Sequence, residues 1–491
     1  FFFKQKTAYE IRNCDWSSDV CSSDLGLAAA LQTGGPGGPS AMTDAVFDPG
    51  RLRGGELFWL LSLVALLLLW PLRAADRRSP LAWFEPPLVL AVIFAYYSVA
   101  GPLLALATGG WIDRGVNFRG VLDVGWQTSL LAYGGFLLGY GLLPAAAPPR
   151  RQRPPFDPGR AWRLGWILNG TGLALHGLSV GPGRLLQQLN PLVLASDLPG
   201  GAANELGPFA NYAALAVNLL IPGTCLLLAV RLRQPWRPLW PLLVWTLVAA
   251  ALFTAIGFRY RLVLLLVPLL LLPALAGGRR PSLPLLTAAA ALLLLASGAI
   301  GLTRQYGLGL DLSLLRGVGA AEVVQAGFGE AAIFFPSAAL VQAVPDAIAN
   351  VGAEPLLRTL LFPVPSALLP GKESASYLLD ALARLYGSAP ASTGAAVLNW
   401  AEYALMAGWP GVVTGYLLLG LLYRRIWNGF LVCRGDPLVQ VVTALALAYL
   451  YVVVSRGYLP QVVMLAVFTV LPPLLLLVPI ADDRRPSAEQ R

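Results

Sequence analysis

Charge is what this sequence has least of. Only 12% of its 491 residues are Asp, Glu, Lys or Arg, against 56% hydrophobic, and the mean hydropathy is +0.65. A soluble domain carries roughly 25% charged residues, so about half of an ordinary polar surface is missing. That shortage excludes a soluble globular enzyme and a disordered chain, and it excludes a nucleic-acid binder despite a pI near 9.5. Histidine occurs once, at His176, and cysteine four times, with no spacing of a disulfide framework, zinc site or redox pair. No Gly-rich phosphate loop, Ser-His-Asp order or Cys-His pair is present, which leaves no place for a nucleotide-driven reaction. In the stretch GGWIDRGVNFRGVLDVG, Asp113 and Asp123 stand apart, and Asp482 and Asp483 lie on a terminal tail. Neither a metal site nor a cofactor is expected.

Phe1 to Leu25 (FFFKQKTAYEIRNCDWSSDVCSSDL) has a different composition from the rest, with two of the three lysines and two of the four cysteines. Back-translated, KQKTAYE and CDWSSDVCSSDL give the strings of a common short-read sequencing adapter, with Ile11, Arg12 and Asn13 over the sample index. Residues 1–25 therefore read as translated adapter, to be set aside like a fusion scar; the rival reading is an ectodomain bridged by Cys14 and Cys21. Residues 26–56 form an N-terminal lead in which Met42 is the expected start. Without residues 1–25 the net charge is +10, and of the 32 remaining basic residues 31 are arginine and one is Lys372. That bias, with abundant Ala, Gly and Pro, fits a GC-rich bacterial genome.

What the chain has is apolar runs. A bilayer crossing takes about 20 apolar residues, and runs fall at 57–72, 86–108, 124–143, 164–180, 209–230, 239–257, 262–276, 283–302, 409–427, 438–455 and 459–480. In lipid every backbone amide needs an internal partner, so these are expected to be helices. The expected fold is an all-α polytopic membrane protein of about 11 spans: eight over 57–302, three over 409–480, and a tail at 481–491. The short connections at 73–80, 144–163, 231–238, 277–282 and 423–437 are arginine-rich and all lie on one side, which the positive-inside rule makes cytoplasmic. The N-terminus then faces out. Residues 303–408 become one long outer, periplasmic loop, moderately apolar and broken by Gly and Pro into short helical patterns such as Glu322–Ala332 and Ser376–Tyr386. Long loops without a function are uncommon, so this one is read as an active-site platform.

Basic residues gather at the outer ends of the expected helices: Arg259 and Arg261 in GFRYR, Arg304 in LTRQYG and Arg456 in SRGYLP. Arginine is costly near hydrocarbon unless paired or hydrated, and its planar fork suits phosphate oxygens. Each alone reads equally well as snorkelling to headgroups; four at one level point to a shared anionic substrate. Lys372 stands in a chain that otherwise replaces lysine, a sign that a compact ammonium is used there. Glu330 (GFGEAAIFF) and Glu402 (NWAEYALMAGWPG) sit among apolar residues on the same side. Each is a candidate general base or an ion-pair partner of an arginine. His176, among Gly, Thr and Ser, reads as an interhelical hydrogen bond.

The order of Gly257-x-Arg259 between two spans, Glu330 beside an apolar run, FPVPSALLPGKES and AEYALMAGWPGVVTGYLLLGLLYRRIW resembles bacterial oligosaccharide repeat-unit polymerases, the Wzy-type O-antigen polymerases. The match falls at Pro365, Pro370, Lys372, Glu402, Tyr403, Gly408 and Gly411, over about residues 240–430. It departs at Ser366, Ala401 and Leu405, where the family has Arg, Gly and Asn. The resemblance implies a glycosyltransferase of the bacterial inner membrane that joins undecaprenyl-diphosphate-linked repeat units on the periplasmic side into O-antigen, capsule or exopolysaccharide. It implies Arg259, Arg261, Arg304, Lys372 and Arg456 on the diphosphate, Glu402 or Glu330 as base, and a chain-length regulator as a partner. The alternatives are an O-antigen ligase and a lipid-linked sugar flippase. A flippase should carry charges midway along its spans, whereas most charges here sit at their ends.

Overall fold

The computed structural model describes residues 52–76, 79–113, 116–144, 156–190, 209–279, 282–305, 309–364, 368–369, 377–387 and 396–477. The adapter segment, Met42, Pro365, Pro370, Lys372 and the tail from 478 lie outside the described residues. The described chain is mostly helical. In chain order it runs α1 (Gly54–Asp76), α2 (Pro86–Phe94), a π-turn leading into α3 (Gly101–Thr108), the two-residue strands β1 (Ile112–Asp113) and β2 (Val116–Asn117), α4 (Leu122–Leu142), α5 (Pro158–Val180), α6 (Pro182–Gln188), α7 (Ala210–Leu215), α8 (Leu220–Arg233), α9 (Trp240–Ile256), α10 (Arg259–Gly277) and α11 (Leu283–Thr303). The antiparallel pair β3 (Arg304–Gln305) and β4 (Gly309–Leu310) follows. Then come α12 (Ala320–Phe328), α13 (Phe334–Ala343), α14 (Glu354–Leu361), α15 (Tyr377–Tyr386), α16 (Asn399–Val432), α17 (Pro437–Ser455), α18 (Leu459–Thr469) and α19 (Leu471–Leu475).

Among the described residues, each expected apolar run lies largely on helical backbone. Eight stretches are long and apolar enough to cross a membrane: Gly54–Ala75, Pro86–Thr108, Tyr212–Arg233, Arg259–Gly277, Pro284–Thr303, Ala320–Ala343, Asn399–Val432 and Pro437–Ser455. This is a multi-pass, all-α membrane protein. Seven of those stretches coincide with expected spans. Of the other expected spans, α4 and α5 are long but diluted by glycine and polar residues such as Gln127, Asn169 and His176, and α9 and α18 are apolar but shorter.

Two features depart from the expected layout. Residues 303–408 hold the short helices expected near 322–332 and 376–386, but the first continues into a longer apolar stretch, Ala320–Ala343. That stretch comprises α12 and α13, joined by a 3-10 turn at Gly329–Ile333 that carries Glu330. A hydropathy reading passes over this stretch because Glu322, Glu330 and its glycines dilute the apolar signal. The helix expected from 409 begins at Asn399 and bends at Ala407–Gly408, where Gly408 adopts φ +61°. Pro410 removes a backbone donor just beyond the bend, a standard cause of a kink.

Glycine sets the tightest helix crossings. A Cβ on Gly139 of α4 would lie 2.0 Å from the Leu417 carbonyl oxygen of α16, and one on Gly420 would lie 2.2 Å from the Phe136 oxygen. With no gain from removing apolar surface from water inside a bilayer, such close backbone approach is a main source of helix association. Side-chain bonds also define two ends of the molecule. At one end Arg119 binds Glu56 at 2.5 and 2.9 Å, and Tyr386 donates to Asp113 at 2.6 Å. At the other, Trp70 donates to Glu85 at 2.8 Å, Asn428 to the Pro144 carbonyl at 2.9 Å, and Arg233 to the Gly435 carbonyl.

Candidate anion site at one end of the helices

The site begins with a glycine. α9 ends at Gly257 in the left-handed region (φ +88°), the usual helix stop. Phe258 is extended, and α10 restarts at once, so Arg259, Tyr260 and Arg261 fill its first turn. A helix N-terminus carries a partial positive charge, and two arginines there add to it. Both are nearly enclosed, at 8% and 5% exposed, so neither is snorkelling freely into water. The Arg259 guanidinium lies against Gly301 of α11, where a Cβ would come within 2.1 Å of Nη2. Arg261 stacks on Phe258, its Cζ 4.1 Å from the ring centroid, and reaches Tyr260 at 5.8 Å.

Arg456 arrives from the C-terminal end of α17, in the non-helical residues 456–458 before α18. Its Cζ sits 5.0 Å from the Tyr260 centroid, and its Nη2 donates to Glu330 Oε1 at 2.7 Å. Tyr260 thus lies between two guanidiniums, each held by cation–π attraction. The Tyr96 hydroxyl is within electrostatic reach of Arg259, Arg456 and Glu330 together and donates to the Gly327 carbonyl at 2.7 Å. Beside it, Tyr97 donates to Tyr451 at 3.0 Å. Arg259 and Arg261 form no salt bridge among the described residues, and the Nε of each is buried without a hydrogen-bond partner there. Guanidiniums from two distant segments therefore lie close together, and among the described residues Arg456 is the one of the three paired with a carboxylate, Glu330.

Glu402 has different surroundings. It is 1% exposed in the first turn of α16 and accepts from the Leu459 N–H at 2.9 and 3.1 Å and from the Tyr377 hydroxyl. Burial, the charge of Glu402 and the bond to it push the Tyr377 pKa up, so this hydroxyl stays protonated and donates. A small cleft opens beside Arg456. Phe258, Tyr260, Leu378, Arg456, Tyr458 and Gln461 are among the residues lining it.

Of the residues singled out in the sequence, Arg259, Arg261, Arg456 and Glu330 come together, with Glu330 as the ion-pair partner of an arginine. Glu402 is held apart from them by Tyr377 and the Leu459 N–H. Arg304 lies in β3, directly after α11, and Lys372 lies outside the described residues. His176 meets Gln188 with Nε2 and Oε1 2.9 Å apart, bridging α5 and α6, and is within electrostatic reach of Arg261. Sequence reasoning did not single out Tyr260, Tyr377, Tyr458, Tyr96 or Gly301. A signal existed for two of them: Tyr260 sits between two arginines in GFRYR, and Tyr458 two residues after Arg456 in SRGYLP.

No family model matches the chain, and no curated protein or solved structure matches it. Fold and composition define the class on their own: a helical multi-pass membrane protein with an arginine-rich polar site at one end of its helices.

Proposed function

We propose that this protein is a membrane glycosyltransferase, a Wzy-type polymerase that joins undecaprenyl-diphosphate-linked oligosaccharide repeat units at the periplasmic face of the bacterial inner membrane. The observation that carries this reading is the cluster of Arg261 and Arg456 about Tyr260, with Arg259 in the same helical turn, in which Glu330 is the carboxylate paired with an arginine among the described residues. Buried positive charge without a matching carboxylate is expensive, and arginines in the first turn of a helix oppose its dipole. Both costs fall when a dianionic group binds.

In this reading the guanidiniums hold the diphosphate of the donor and stabilise it as it leaves. The acceptor hydroxyl oxygen bonds to the donor's anomeric carbon as the bond from that carbon to the phosphate oxygen breaks. The electron pair leaves with the lipid diphosphate, and the hydroxyl proton passes to a carboxylate, Glu330 or Glu402. The energy comes from the sugar–diphosphate bond. The arginine-rich end faces the periplasm and the short arginine-rich connections face the cytoplasm. About eleven spans put the N-terminus outside. The remaining partners are the bilayer and a chain-length regulator.

The test is polymer length in cells. Losing one charge-assisted contact in a water-poor site costs about 2–4 kcal/mol, or roughly 30- to 1000-fold in rate. Arg259→Ala and Arg456→Ala should leave single repeat units on the lipid carrier at unchanged protein level, and Arg→Lys should fall short as well because the fork is lost. Long polymer from a stably expressed Arg259→Ala, Arg456→Ala double variant would refute the reading.

A further inference from the structure

A groove of about 570 Å³ runs between α1 and α4, with Leu69 on one wall, Leu131, Gly134 and Leu138 on the other, and Val413 of α16 completing it. Leu69, Leu131 and Leu138 are exposed, so the groove opens to the outside of the helix bundle, where a membrane protein meets lipid. Gly134 makes room for it, since a Cβ there would meet only Leu66, at 4.0 Å. The Ser62 hydroxyl, also on the wall, turns back to the Phe58 carbonyl at 2.8 Å and leaves the lining apolar. The groove follows residues 62–69 of α1 and 130–138 of α4, about 10–12 Å at the helical rise, against roughly 15 Å of hydrocarbon in one leaflet.

Both helices run toward the end marked by the Trp70–Glu85 bond, and just past the groove the surface turns cationic. Trp70 and Tyr140 meet edge to face with centroids 5.6 Å apart, and each carries a guanidinium. Arg73 Cζ is 5.6 Å from the Trp70 centroid, and Arg424 Cζ, from α16, is 4.9 Å from that of Tyr140. Neither arginine forms an ion pair among the described residues, and the Arg424 Nε is buried there without a hydrogen-bond partner. The carboxylate of Glu85 accepts the Trp70 N–H at 2.8 Å.

We infer that the groove and the two arginines form one binding site for an anionic phospholipid, with an acyl chain along α1 and α4 and the phosphate at Arg73 and Arg424. An apolar groove alone accepts any acyl chain; the guanidiniums add selectivity for the headgroup, because a planar fork matches phosphate oxygens. Trp70 and Tyr140 suit the same level, where amphipathic rings meet the headgroups. A free anion would gain nothing from the groove, so the site is one for lipid. In the orientation proposed above, that lipid belongs to the cytoplasmic leaflet. It touches α1, α4 and α16 together and so ties α1 to the α4–α16 crossing. The site lies at the opposite end from Arg259, Arg261 and Arg456 and does not depend on what they bind.

The experiment titrates the full chain, stripped of lipid in detergent, with phosphatidylglycerol and phosphatidylcholine of matched acyl chains and counts retained lipid by native mass spectrometry. Two arginines at a headgroup favour the anionic lipid by roughly 30-fold, and wild type should retain phosphatidylglycerol first by about that factor. The Arg73→Gln, Arg424→Gln double variant should bring the two lipids near parity. Arg73→Gln alone changes an exposed residue and should lower the preference by roughly 5-fold; it carries the test should the double variant fail to fold. Arg160→Gln, Arg163→Gln removes the same charge from exposed positions at the start of α5 and should keep the wild-type preference, which separates a site from the general field of a basic surface. Gly134→Leu fills the groove and should weaken retention of both lipids, by roughly 10-fold. Equal retention of the two lipids by wild type overturns the site, as does a preference that falls as far in the Arg160, Arg163 pair as in the Arg73, Arg424 pair. Undiminished retention by folded Gly134→Leu overturns the groove as its acyl half. Displacement of the lipid by inorganic phosphate as readily as by added phosphatidylglycerol would overturn it too, leaving a site for free anions.

Discussion

The crossing of α4 and α16 offers a test of what holds this molecule together. At Gly139 a Cβ would stand 2.0 Å from the Leu417 carbonyl oxygen and 2.8 Å from its carbon, where ordinary contact begins near 3.4 Å. The obstacle is backbone, so no side chain can rotate away, and Gly139→Ala has to push the two helices apart by more than an ångström. Gly420 makes the same approach from the other side, 2.2 Å from the Phe136 oxygen, so the displacement spoils a second contact as well. Overpacking of this kind costs about 1–3 kcal/mol. The control is in the same helix: Gly141 has nothing within 4 Å of its Cβ position. Gly141→Ala removes only glycine's weakness as a helix former, a gain of up to about 1 kcal/mol. Purified in detergent and heated before size-exclusion chromatography, Gly139→Ala should lose its monodisperse peak at a lower temperature than wild type. Gly141→Ala should hold or rise. If the two variants melt alike, the crossing is not set by backbone contact and the packing argument fails.

Two further expectations concern charge. Gly301→Ala adds a methyl group where the Arg259 guanidinium lies, 2.1 Å from Nη2. It should displace that fork and reduce polymer formation nearly as far as Arg259→Ala while leaving expression intact; normal polymer lengths would detach Arg259 from the site. Glu56→Gln leaves Arg119 buried without its carboxylate, and breaking one side of a buried pair costs about 3–5 kcal/mol. The variant should therefore melt well below wild type in the same chromatographic assay.

The helices were legible because lipid leaves them no alternative, and hydropathy alone located every expected run. A helical pattern over 322–332 was legible, but its continuation through α13 was not, for the same reason in reverse. Gly327 lets the stretch pack against Leu294, but its glycines contribute nothing to an apolar average, and Glu330 subtracts from it. The arginines were visible as costly residues in costly places. Their arrangement was not, because nothing along the chain brings residue 456 to residue 260. Glu330 and Glu402 were indistinguishable as sequences, each a lone acid among apolar neighbours. Only tertiary structure separates them, one facing a guanidinium and the other a backbone N–H and a tyrosine.

Residues 456–459 give the site a mechanical character. Arg456 holds Glu330 at one end of this stretch, and the Leu459 N–H holds Glu402 at the other. Between them Gly457 is pinned, its N–H bonded to the Val397 carbonyl at 2.7 Å and its Cα so close to Leu398 that a Cβ would lie 2.8 Å from that carbonyl oxygen. The segment is thus a short rocker on a fixed fulcrum. Both carboxylates are therefore anchored on one four-residue stretch whose middle is fixed by backbone contact. Enlarging Gly457 would press this stretch off the Leu398 carbonyl and disturb the anchors of both acids together.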